Sequence, residues 1–178
     1  MNLSTRLTPT ARMALTLALA VYGLIILRDP SQFRLVDNID LAIHEAGHVF
    51  FGPFGEFIGF LGGTLLQFIV PITFFGYFLH HRNRYAASVL LWWVAQNLWN
   101  ISVYARDARA QELPLVGGGE HDWAYLLDTL GVLQRDQAVG RAFVAAGGVC
   151  FAVSIAWGLL NVRPRSGEAG GADVAGTI

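Results

Sequence analysis

Two histidines four residues apart flank a glutamate in the pentapeptide His44-Glu45-Ala46-Gly47-His48. On a helix this spacing sends both imidazoles off one face, where they can share a single metal ion. Zinc accepts imidazole ligands and lowers the pKa of a bound water to about 7. A glutamate beside that water can take its proton and later pass it to a leaving amine. The pattern therefore points to Zn²⁺-assisted hydrolysis, with His44 and His48 as ligands and Glu45 as general base. Two histidines do not complete such a site. A catalytic zinc takes three protein ligands and keeps one position open.

The third ligand has to come from elsewhere in the chain. Segment 106–137 is polar and acidic and holds Glu120-His121-Asp122-Trp123. His121 is the first choice for the third ligand, Asp122 the second and Asp107 the third. Each has a plainer reading. His121 can be a solvated loop histidine, Asp122 can cap the helix that follows it, and Asp107 can pair with Arg106 or Arg109. Asp40, one turn before His44, can orient that imidazole or cap its helix. Gln67, Asn97 and Asn100 can hold a substrate backbone or, more simply, hydrogen-bond neighbouring helices. His80 and His81, beside Arg82 and Arg84, read as a solvated basic turn.

The elements that must position these residues are apolar. The chain has 178 residues, of which 54% are hydrophobic and 14% charged, against about 25% charged in soluble domains. Its mean hydropathy is +0.46. These values indicate an all-α membrane protein that contacts lipid. The net charge of −1 comes without a basic stripe, which argues against a nucleic-acid partner. The single cysteine, Cys150, excludes an internal disulfide and reads as a buried, inert thiol.

Four spans are expected. The first is Met13 to Leu27, extended by Thr8 to Arg12 and retained because no small-residue cleavage site follows it. The others are Phe57 to Leu79, Tyr85 to Tyr104 and Ala138 to Leu160. In the second, Pro71 should introduce a kink, and Gly59, Gly62 and Gly63 allow close approach of another helix. The HEAGH helix should run from Leu41 to Phe51, capped by Asn38 or Asp40, and Gly52-Pro53-Phe54-Gly55 should end it. Too short to cross a bilayer, it reads as a re-entrant half-helix that turns back at Gly52–Gly55. A Gly117-Gly118-Gly119 turn precedes a short amphipathic helix, Asp122 to Leu133. Residues 1–162 form one helical membrane domain, and 163–178 a disordered tail. Arginines without nearby acids, at the N-terminus, at Arg82 and Arg84, and at Arg163 and Arg165, are assigned to the cytoplasm. The site then faces the outer side of a membrane, taken as a bacterial inner membrane.

His44, Glu45 and His48 in a short helix among apolar spans resemble membrane-embedded zinc metalloproteases of the site-2 protease type. The resemblance implies intramembrane proteolysis, with the two histidines as ligands and Glu45 as base. It is limited to that motif. The family carries its third ligand, an aspartate, in a later apolar segment near an Asn/Asp-Pro-Gly or Asp-Gly pattern. Here Asp107 and Asp122 lie in polar sequence, and the charge pattern places the site outward rather than toward the cytoplasm.

Two functions fit the sequence. One is an integral-membrane zinc metallopeptidase acting on a membrane-protein substrate. The other is a non-catalytic subunit of a larger membrane complex, in which HEAGH is a structural metal site or a packing helix.

Overall fold

The computed structural model describes residues 7–115 and 119–163, and no strand occurs among them. The tail beyond Arg163 and most of the expected triple-glycine turn lie outside the described residues. Helix α1 spans Pro9–Arg28. The Thr8 hydroxyl accepts from the Ala11 amide, and Pro9 occupies the first turn, where its missing N–H costs nothing. The expected extra turn is thus present, and 20 residues give a helix of about 30 Å. Helix α2 spans Leu35–Phe51, α3 Glu56–His80, α4 Arg84–Arg106, α5 Asp122–Thr129 and α6 Asp136–Leu160.

Contacts along α4 fix the direction of every long helix. Tyr85 Oη donates to the Arg12 carbonyl at 2.7 Å and Trp92 Nε1 to the Leu19 carbonyl at 2.9 Å, so α1 runs parallel to α4. The Ser154 hydroxyl reaches the Ser88 carbonyl and the Gln137 amide reaches the Arg106 carbonyl, so α6 runs antiparallel. Asp37 meets Gln96, and His44 meets Tyr104 further along, so α2 is parallel to α4. His48 meets Gly59 and His44 meets Gln67, so α3 returns antiparallel to α2. One end of the bundle therefore gathers the start of α1, the turn at residues 81–83 and the end of α6. The other gathers the Gly52–Gly55 turn, the end of α4, and α5.

Three segments are long and apolar enough to cross a membrane: α1, α3 and Leu133–Leu160, which contains α6. Their outer surfaces carry bare apolar side chains, as at Val21, Leu24, Val149 and Leu160. Contiguous exposure of this kind is unusual for a protein surrounded by water. Helix α4 is not among the three segments and carries Gln96, Asn97 and Asn100. It is instead the central helix, with thirteen buried residues against four in α1 and five each in α3 and α6.

Helix α2 differs from the sequence expectation in two ways. It begins at Leu35, not Leu41, and neither Asn38 nor Asp40 caps it. The N-cap residue is Arg34, and Asp37 in the first turn reaches back to it, its Oδ2 accepting from the Arg34 amide at 2.6 Å. The Gly52–Gly55 turn also lies at the α5 end of the bundle rather than at depth. Just beyond that turn, Phe60 stacks on Tyr125 of α5 at 4.1 Å. The chain thus continues from α1 into α2 in the same sense and reverses only at Gly52–Gly55. The α2–α3 contact is backbone to backbone: a Cβ at Gly47 would collide with the Gly62 carbonyl, and one at Gly62 with the Gly47 carbonyl. Helix α3 runs unbroken through Pro71, which has no N–H to offer the Gln67 carbonyl one turn earlier.

Candidate metal centre

The helical spacing of His44 and His48 places their rings 4.8 Å apart on the face of α2 that meets α3. The opposing residue is Gly63. A Cβ there would lie 2.5 Å from His44 Nε2 and 2.6 Å from His48 Nε2. Glycine at this position leaves the space into which both Nε2 atoms point.

The other ring nitrogens are held. His48 Nδ1 is 2.8 Å from the Gly59 carbonyl oxygen, and His44 Nδ1 is 3.2 Å from Gln67 Oε1. Both partners are acceptors, so both Nδ1 atoms donate, and in the neutral imidazoles both Nε2 atoms present lone pairs. Asp122, the first residue of α5, completes the group. Its Oδ2 lies 2.9 Å from His44 Nε2 and 3.2 Å from His48 Nε2. Three acceptor atoms therefore converge with no built-in donor among them. Protons on the imidazoles or a metal ion must lie between them. Tetrahedral ligand atoms at about 2.0–2.1 Å from zinc sit roughly 3.3 Å from one another, close to these separations. The fixed Nδ1–H bonds are the outer contacts that metal-bound histidines ordinarily make. His44, His48 and Asp122 thus form a group that could hold a metal ion.

The structure brings Asp122, the second choice, to the histidines and turns His121, the first choice, away. His121 caps α5, with its Nδ1 accepting from the Ala124 amide at 3.3 Å. That leaves Nε2 as the protonated nitrogen, 3.3 Å from Asp107 Oδ2. The ring is fully buried, and burial pushes its pKa down. Asp107, the third choice, also accepts from the Glu112 and Leu113 amides and so ties down the loop after α4. Asp122 is not the cap it was weighed as. Because His121 takes that role, Asp122 becomes the first helical residue and is free to point at α2.

Other candidates sort clearly. Asp40 does not touch His44; its Oδ1 accepts from Trp93 Nε1 at 2.9 Å. Gln67 holds the His44 imidazole instead. Asn97 is wholly buried and donates to the Trp93 carbonyl, away from the site. His80 and His81 lie at the opposite end of the bundle, their rings against each other. Beside the three convergent atoms opens a cavity of about 940 Å³. Glu45, Gln67, Asn100 and Tyr104 line it together with His44, His48 and Asp122. Sequence reasoning missed the roles of Gly63 and Gly59, which act through space and backbone rather than through side-chain chemistry.

No protein-family model, curated protein or solved structure matches this chain.

Metal content measured on the purified chain should be about one zinc. Asp122→Ala and Gly63→Val should remove it, while His121→Asn, with a side chain that can still cap α5, should retain it. Zinc lost in His121→Asn but kept in Asp122→Ala would reverse the assignment.

Proposed function

We propose that this chain is an integral-membrane zinc metallopeptidase. The observation that carries the reading is the convergence of His44 Nε2, His48 Nε2 and Asp122 Oδ2 on the wall of a large cavity that Glu45 also lines. Zinc held by these three residues would supply Lewis acidity and an acidified water. Glu45 would act as the general base, taking a proton from water at the site and returning it to the departing amine of a peptide. Asp122 balances part of the ion's charge, and the two Nδ1 contacts fix the imidazoles against rotation. The cavity, open at one side, would receive an extended peptide segment. The resemblance of His44, Glu45 and His48 to site-2-type proteases supports the same assignment.

In this reading α4 is a fourth span. At 23 residues it is about 34 Å long. Its amides face protein, since α1, α3 and α6 pack around it and keep them from lipid. The end carrying Arg12, Arg82, Arg84 and Arg163 stands in the cytoplasm, and the α5 end faces outward. At the α5 end, Arg109 is neutralised by Asp136 at 2.8 Å. Cysteines introduced singly at positions 82 and 120, after removal of Cys150, should label from opposite sides of the membrane. Labelling from one side refutes this topology.

Glu45→Gln should keep the fold and the zinc but lower peptide hydrolysis by about 10²- to 10⁴-fold, the usual weight of a general base. The alternative, a non-catalytic subunit of a larger membrane complex, forecasts the opposite. If Glu45→Gln restores a deletion phenotype fully while His44→Ala does not, the metal is structural and the peptidase assignment fails.

A further inference from the structure

We propose that Asp37, Asn100 and Gln67 form a positioning relay that dictates which nitrogen of His44 faces the metal site. The inference rests on the metal-centre reading above and assigns residues that the HEAGH motif does not contain.

The relay follows from hydrogen-bond direction. Asp37 is buried, and its carboxylate is saturated with donors: the Arg34 amide on Oδ2, and Gln96 Nε2 at 2.9 Å and Asn100 Nδ2 at 3.1 Å on Oδ1. A carboxylate so placed only accepts, so Asn100 must turn its NH₂ toward it. The Asn100 oxygen then faces α3, where it accepts from Gln67 Nε2 at 2.9 Å. The Gln67 oxygen consequently faces His44 Nδ1 at 3.2 Å. Turning either amide around would set oxygen against oxygen or NH₂ against NH₂ in a buried chain, an arrangement costly enough to exclude. The sense therefore runs one way from Asp37 to His44. The imidazole carries its proton on Nδ1 and keeps the Nε2 lone pair for the ion.

Asp37 and His44 lie seven residues apart on one face of α2, and the relay leaves that helix, crosses α4 and α3, and returns to it. One carboxylate thus closes the first turn of α2, ties it to α4 and orients the first ligand of the site. His48 needs no relay, because a backbone carbonyl cannot be turned around as a side-chain amide can.

A double-mutant cycle on the full chain in detergent separates positioning from packing. Zinc affinity is read by chelator competition, and the Co²⁺-substituted spectrum reports ligand geometry. Asn100→Leu should weaken zinc binding by about 10- to 100-fold, the usual cost of losing an outer-shell partner. Its cause would be a Gln67 amide freed to rotate. Gln67→Glu presents oxygen to His44 in either orientation, so adding Asn100→Leu to that background should cause no further loss. Equal losses in both backgrounds, or no loss from Asn100→Leu in the wild-type background, overturn the relay. Wild-type protein that binds no metal overturns the relay and the metal reading together. If Gln67→Glu fails to fold, histidine ¹⁵N shifts of the zinc-loaded wild type decide. A protonated Nδ1 and metal-bound Nε2 at His44 are expected, and metal at Nδ1 contradicts the proposal.

Discussion

Two imidazole nitrogens and a carboxylate oxygen meet within about hydrogen-bond distance, and protons or a metal ion must lie between them. Much of the remaining architecture serves that convergence. Helix α2 must lie against α3 closely enough for Gly59 and Gln67 to hold the imidazoles, and mutual contact of Gly47 and Gly62 permits it. Helix α5 must begin at Asp122, and the His121 cap sets that start. The loop between α4 and α5 must return α5 to α2, and Asp107 secures its first part by accepting two loop amides.

The second constraint is solvent. Apolar side chains on α1, α3 and α6 face outward, while the amides of α4 are turned inward, where Gln96 and Asn100 donate to Asp37 and Asn97 donates to the Trp93 carbonyl. Amides facing lipid would be costly, whereas inside the bundle they become connectors. Asp37 is the clearest case. A buried carboxylate would ordinarily destabilise an apolar interior, but here it gathers three donors, two from α4 and one from the N-terminal end of α2.

The parts of the molecule read well from sequence are those governed by local rules. The i, i+4 histidine pair needs only helical geometry, and the long apolar runs appear as helices within a few residues of their expected bounds. The third partner was harder, because His121 and Asp122 are adjacent and only one can cap α5. Ligand chemistry favoured the histidine; backbone geometry gave the cap to His121 and the site to Asp122. The start of α2 at Leu35 is less legible, because its N-cap residue is Arg34, a type that does not mark helix starts, and Asp37 closes the first turn from inside the helix. The direction of α2 followed from an assumption that a short helix dips in and turns back. The hydrogen bonds of Asp37 to Gln96 and Asn100 and the ring contact of His44 with Tyr104 set it parallel to α4, and those pairings are invisible along the chain.

X-ray absorption at the zinc edge of the purified, zinc-loaded wild-type protein tests the central claim most directly. Two imidazole nitrogens at about 2.0–2.1 Å with the remaining donors oxygen are predicted. A spectrum without imidazole scattering, or one requiring sulfur from Cys150, would contradict a centre built from His44, His48 and Asp122.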